Sequence, residues 1–226
     1  MKFFILKSAT NTIETGPVYP QVQKMSFGYN YEAFNSVHAL SRFLDKFPDF
    51  SPNLDHFILN DKSKLTDLLS VAVAYGGLLI SNKFKNLFEK FSLPLHRFYP
   101  AKVLRQKEFF EYHWMHIICD LTDDVDYKKS NFIAYYNYAH NLGLVPVNSK
   151  EDLVEKRQKL KNDNPDKAIT IWAEQIVLNT KAKKNMDLFK IGTFDSNIYI
   201  TEVLKRAIIT SKITGCEITD ALNLQA

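Results

Sequence analysis

The sequence predicts an α+β protein with mixed β-sheets and a few packed helices, and three observations carry that prediction. Aromatic and β-forming residues are abundant, with 17 Phe and 11 Tyr against only 7 Gly. Several short runs alternate in a period of two, as half-buried strands do. A smaller set of segments repeats apolar residues every three or four positions behind a Ser or Thr, the pattern of capped helices. The 226 residues are enough for one substantial core or two small ones. The reading divides them into an N-terminal α+β segment, 1–75, and a second α+β domain, 76–226, the two either separate or continuous.

In chain order, Lys2–Lys7 reads as a strand. Its four apolar residues before Lys7 are too short a run for a signal sequence. Ser36 to Lys46 reads as a helix on the spacing of Val37, Leu40, Phe43, Leu44 and Phe47, stopped by Pro48. Asp55–Asn60 is a short strand, and Leu65–Val73 fits either template. Gly76-Gly77 breaks the chain before a strand at Leu78–Ile80. Ser81 then caps a helix whose stripe is Phe84, Leu87, Phe88 and Phe91, ended by Pro94. Arg97–Leu104 is the returning strand. Phe109–Cys119 alternates so fully that both faces are apolar or aromatic, which predicts an interior strand with His113 and His116 on opposite faces. Asn131–Tyr138 alternates likewise. A polar helix runs from Ser149 to about Lys161, with Leu153, Val154, Arg157 and Leu160 on one side. Ile169–Leu178 is β-branched and carries Trp172; a turn with Lys181, Lys183 and Lys184 then leads into Asp187–Ile191.

The end of the chain repeats an earlier theme. Leu79-Ile80-Ser81-Asn82-Lys83-Phe84-Lys85 resembles Tyr199-Ile200-Thr201-Glu202-Val203-Leu204-Lys205: strand, hydroxyl cap, helix, break and returning strand in both. Two similar β-α-β units fit either a degenerate duplication or a common unit used twice.

Charge is unevenly placed. The chain carries a formal +4, yet Ser81–Lys107 alone holds seven basic residues and one acid, a local +6 that leaves the rest at −2. Such a segment is either a solvated face or a surface for an acidic partner or nucleic acid. Two cysteines, Cys119 and Cys216, are too few for a disulfide framework and read as reduced, buried or half-buried thiols. No stretch has the length needed to span a bilayer, so a cytoplasmic location is expected.

The search for chemistry returns little. Gly76-Gly77 lacks the second glycine and the Lys-Ser/Thr of a phosphate loop, and there is no Gly-x-Ser-x-Gly elbow. His113-x-x-His116-x-x-Cys119 has metal-ligand spacing for a helix, but on a strand its members point to opposite sides and cannot converge. Asp123-Asp124-Val125-Asp126 lacks the glycine and distal Glu of a calcium loop and reads as a polar turn. Trp114 and Trp172 are core residues or interface anchors.

These segments also carry a resemblance. Gly77-Leu78-Leu79-Ile80-Ser81, the helix ending Glu89-Lys90-Phe91, and Leu93-Pro94-Leu95-His96-Arg97-Phe98-Tyr99-Pro100-Ala101 resemble immunity protein family 11 of bacterial polymorphic-toxin systems. So do Tyr112-x-Trp114-x-His116-Ile117, Val125-Asp126 with Ser130, Asp187-Leu188-Phe189, Phe194-Asp195, Tyr199-Ile200-Thr201-Glu202 and Thr214-Gly215-Cys216-Glu217. The resemblance spans roughly Gly76 to Asp220, with Thr201 standing where the family often has Ser. It implies an α+β protein that binds and neutralises a cognate toxin without catalysis or cofactor. A basic segment would then meet an acidic or neutral toxin surface.

The function expected is therefore non-enzymatic protein binding, with Lys83, Lys85, Arg97, Lys102 and Arg105 on the partner surface and neither membrane nor specific nucleic acid as partner. Two alternatives remain at this stage. One is a nucleic-acid-binding module using the basic segment. The other is an enzyme with an unrecognised site around Asp123, Asp124, Asp126, His113 and His116.

Overall fold

The computed structural model describes residues 2–179, 186–192 and 194–225, and the turn expected at Lys181, Lys183 and Lys184 lies outside them. Within these residues the elements run β1 (Phe3–Ser8), β2 (Val22–Met25), α1 (Val37–Leu40), β3 (Phe57–Leu59), β4 (Leu68–Leu69), β5 (Gly77–Ser81), α2 (Asn82–Phe88), β6 (Leu95–Arg105) and β7 (Glu108–Ile118). They continue β8 (Asn131–Tyr136), β9 (His140–Leu144), α3 (Lys150–Asp163), β10 (Ile169–Val177), β11 (Leu188–Phe189), β12 (Ile198–Thr201), α4 (Glu202–Thr210), β13 (Cys216–Asp220) and β14 (Leu224–Gln225). The protein is α+β with mixed sheets, ordered β2-β3-β6-β7-β5-β4, β11-β12-β1-β13 and β14-β10-β8-β9. Among the described residues no helix is long and apolar enough to cross a membrane.

The architecture repeats one β-sheet arrangement in two halves, which exchange a strand. In the first half, β5 and β6 flank β7, antiparallel to both. In the second, β12 and β13 flank β1 in the same way. One constant offset carries Asp67 to Asp187, Leu68 to Leu188, Ile80 to Ile200, Lys85 to Lys205, Ala101 to Ala221 and Leu104 to Leu224, with the residue identical in every pair. The registers agree residue for residue. His113 of β7 lies opposite Ile80 and Pro100, while Phe4 of β1 lies opposite Ile200 and Asp220, the equivalents of those two positions. The outer strands follow the same scheme: β3 runs parallel to the end of β6, and β10 runs parallel to β14. Thus β1, from the first half, completes the sheet of the second, and β7, from the second half, completes the sheet of the first. Segments 1–75 and 76–226 accordingly share two of the three sheets.

Three cores follow from this arrangement. The central one lies between the halves and joins α2 (Phe84, Leu87, Phe88) and α4 (Leu204, Ile208) to Phe4, Leu6, Met115 and Ile117. The other two lie on the far faces of the sheets. One is built on Tyr112, Trp114 and Leu79, the other on the equivalent Phe3, Ile5 and Tyr199.

A reciprocal pair of aspartates ties the halves together. The Ser81 hydroxyl accepts from Phe84 N at the start of α2 and donates to Asp67 Oδ1 at 2.6 Å. Thr201 accepts from Leu204 N and donates to Asp187 Oδ1 at 2.8 Å. Each second carboxylate oxygen then reaches into the other half. Asp67 Oδ2 accepts from Thr214 N and Oγ1 at 2.9 and 3.0 Å, and Asp187 Oδ2 accepts from Ser92 N at 3.0 Å. Each aspartate therefore bonds its own helix cap and the loop after the other half's helix.

Several sequence expectations change. The helix expected over Ser36–Lys46 is one turn, Val37–Leu40, because Ser41 Oγ back-bonds to Val37 O and the chain then turns to seat Phe47 against Arg97 and His116. The Ser81 helix ends at Phe88, before Pro94, so the proline does not stop it. On α3, Leu153 is buried while Val154 faces solvent. The two-faced reading of Phe109–Cys119 matches β7, whose Trp114 and Met115 enter cores on opposite sides. Gly77 permits the close approach that follows. A Cβ there would lie 2.7 Å from the Trp114 indole and closer still to the Met115 carbonyl. Gly77→Ala is expected to destabilise the protein by about 3 kcal/mol, read as a lower urea midpoint at unchanged slope.

Candidate functional site

The five basic residues singled out from the sequence divide between two faces of the six-stranded sheet. On the α2 side, Lys83 Nζ donates to Lys212 O at 2.6 Å and lies 3.4 Å from Asp67, bridging the two halves. Lys85 pairs with Glu89 at 2.6 Å and lies over Phe98, and Lys102 pairs with Asp55 at 2.8 Å. On these three the positive charge is already met from within the protein. Arg105 is half-buried at the end of β6, and no carboxylate of the described residues lies within 4 Å of it.

Arg97 is placed differently. β6 directs it to the opposite face, where its guanidinium lies 4.5 Å from the Phe47 ring centre and 5.8 Å from that of Tyr99. Beneath it His116 is buried, edge-on to Phe47. Burial lowers the His116 pKa; the Phe43 backbone opposes that, and nearby Lys190 and Arg97 add to the lowering. The imidazole is thus held neutral at physiological pH.

The segment that carries Phe47 also forms an open cleft of about 530 Å³, lined by Tyr31, Phe34, Phe43 and Phe50 with Arg42, Lys46 and one acid, Glu32, among others. Phe50 meets Phe34 and Phe43 edge-on, at 6.0 and 5.5 Å between ring centres, so the aromatic wall is fixed by its own packing. Phe34 nevertheless leaves 77% of its surface in water. Lys46 lies over Phe43 at 5.7 Å. Among the described residues no carboxylate lies within 4 Å of Arg42, Lys46 or Arg97. Three exposed cations without a carboxylate within 4 Å therefore stand beside aromatic rings, of which Phe34 is exposed and Phe43, Phe47 and Phe50 are half-buried. Sequence reasoning found Arg97 and missed the rest, because helical spacing consigned Phe43 and Phe47 to a buried stripe. The density of aromatics from Phe34 to Phe50, interleaved with Arg42 and Lys46, was the available signal.

The other candidates do not assemble. His113 lies on the α2 face against Asn82 Oδ1 at 2.6 Å, opposite His116, so the His-x-x-His-x-x-Cys spacing does not converge. Among the described residues no group of three or more His, Cys, Asp or Glu side chains could hold a metal ion. Asp123 faces Lys150 at 3.4 Å and Asp126 faces Lys129 at 3.1 Å, as in a polar turn. Both cysteines are free and half-buried. Burial pushes the Cys216 thiol up to about 12, with Asp67 and Glu14 adding to the shift, and it raises Cys119 as well. No described protein family and no curated protein matches the chain.

The two inserts that distinguish the halves hold what is unusual about the surface. In the first half, the segment between β2 and β3 builds the aromatic cleft with Arg42 and Lys46 on its wall. In the second, the corresponding segment between β8 and β10 builds β9 and α3. A shared scaffold with divergent inserts places recognition on the inserts.

Proposed function

We propose that this protein is a non-enzymatic binding module, an immunity factor that occupies a cognate bacterial toxin, and that Arg97, Arg42 and Lys46 are the cationic part of its partner surface. The observation that carries the reading is the exposure of these three uncompensated cations beside Phe34, Phe43, Phe47 and Phe50. Arginine and aromatic side chains are the usual anchors of protein interfaces, and a partner carboxylate would gain most where no internal acid competes. The resemblance of Gly76–Asp220 to immunity protein family 11 supplies the class of partner. Lys83, Lys85, Lys102 and Arg105 contribute less, the first three because internal acids or carbonyls already hold them.

The test is the triple variant Arg42→Glu, Lys46→Glu, Arg97→Glu, co-expressed with the cognate toxin domain that this reading requires. The expected result is loss of protection, with association slowed about 100-fold at low salt and less at high salt, and with the fold retained, the lost Arg97–Phe47 and Lys46–Phe43 contacts lowering thermal stability only slightly. Full protection and undiminished association at low ionic strength would remove this face from the partner surface.

A further inference from the structure

Phe47 sits on His116, and we propose that this contact is an acid-released cover: protonation of His116 drives Phe47 off, opens residues 44–51 and carries Lys46 and Phe50 away from the cleft. His116 is 1% exposed in the interior strand β7, and Phe47 meets its ring edge-on at 5.5 Å between centres. Neither ring nitrogen makes a well-formed hydrogen bond. An imidazole buried in this way is tolerated neutral and costly charged, because desolvation falls on the charged form.

The neighbours of His116 leave a proton's charge without a partner. From β6 come Arg97, its cross-strand neighbour, and Tyr99, whose ring lies 6.2 Å away; β5 sets Gly77 opposite it. The segment after β11 brings Lys190, half-buried and, like Arg97, without a carboxylate within 4 Å among the described residues. Burial does most to disfavour the charged ring, Lys190 and Arg97 add to it, and the Phe43 backbone is the one group opposing them. Phe47 offers little relief, since the Arg97 guanidinium already stands 4.5 Å from its centre.

The strain is released where the structure is weakest. β7 is held by ladders to β5 and β6. From Leu44 to Ser51, by contrast, no backbone N–H donates to another backbone group among the described residues. A segment held by side-chain packing alone opens before a sheet does, and water then reaches the imidazolium through the gap that Phe47 leaves. The covered ring titrates below its ordinary value of about 6.5, so the cover is closed above that pH and weakens as pH falls toward the lower value. One proton is taken up, so the ratio of open to closed rises by at most about tenfold per pH unit.

The cover belongs to the free chain, so its test needs no partner and stands apart from the proposed function. Nuclear magnetic resonance of the full chain with isotope-labelled Phe and His reads it, the Phe47 signal being assigned by its loss in Phe47→Leu. As pH falls from about 7.5 to about 5, the Phe47 ring is expected to leave its packed position in step with protonation of His116, while the signals of Trp172 stay in place. His116→Phe keeps a buried ring but takes no proton, and should hold Phe47 in place over the same range. Lys190→Met removes one facing cation and should move both changes to higher pH together. A Phe47 ring that keeps its place throughout overturns the proposal, as does one that leaves equally in His116→Phe or only when all native signals are lost. If His116→Phe does not fold, a transition that Lys190→Met leaves unmoved overturns it instead.

Discussion

Replacing Asp67 and Asp187 together by alanine is expected to remove a large part of the protein's stability at 25 °C. Each carboxylate accepts from groups in both halves, and its removal takes that acceptor from all of them. For Asp67, whose side chain is only 13% exposed, the orphaned groups are the Ser81 hydroxyl and the N–H and hydroxyl of Thr214. Leaving these part-buried donors unmet costs about 3 kcal/mol there, and about 1 kcal/mol at Asp187, where only the Thr201 hydroxyl loses its acceptor because water reaches the exposed Ser92 N. The two sites share no partner, so their effects should add. Their sum of roughly 4 kcal/mol is a large fraction of the stability of an ordinary domain. Equilibrium urea unfolding of the single and double variants reads this directly; a double variant within 1 kcal/mol of wild type would refute the latch.

The same carboxylate gives the effect a pH signature. Burial alone would raise the Asp67 pKa, but hydrogen bonds from Ser81 and Thr214, with Lys83 nearby, outweigh it and hold the group below its ordinary value. A depressed folded-state pKa contributes stability that is present above the unfolded value of about 3.9 and is lost as pH falls through the folded one. The difference between wild type and Asp67→Asn should therefore be constant above about pH 5 and shrink in more acid solution.

How much of this could be read from the sequence depended on the range of the interaction. Local signals held. Ser81 and Thr201 cap the helices they precede, and the alternation of Phe109–Cys119 gives an interior strand covered on both faces from Tyr112 onward, with Phe109 left 61% exposed at its start. The single turn at Val37–Leu40 was not legible, because spacing alone does not show that Phe47 is taken by Arg97 and His116. The aspartate pair was partly legible: Asp-Leu stands 14 positions before each hydroxyl cap, yet an acid ahead of a short strand looks like any surface residue. The exchange of β1 and β7 was not legible at all. Pattern specifies that a strand forms and which face is buried, but not which of two equivalent sheets admits it.

That exchange makes a sharp prediction about separated halves. Cutting the chain at the tight turn between β6 and β7, where Gln106 and Lys107 adopt positive φ, yields 1–106 and 107–226. Neither half contains the central strand of its own sheet. Fragment 1–106 would leave β5 and β6 with the gap that β7 fills, and fragment 107–226 would leave β12 and β13 with the gap that β1 fills. Each would also expose half of the central core, with Phe84 and Phe88 bare in one and Leu204 and Ile208 in the other. A β-sheet missing its middle strand loses both hydrogen-bond ladders and both packed faces at once, so local rearrangement cannot compensate. Each fragment alone is expected to lack a cooperative unfolding transition. Mixed at equal concentration, they should recover one, with a midpoint that rises with concentration because association now contributes to stability. Near-ultraviolet circular dichroism of the mixture should match the intact chain, since Trp114 regains its place between β5 and β6. Two halves that fold cooperatively in isolation, with no gain on mixing, would show that each can close its sheet without the other's strand.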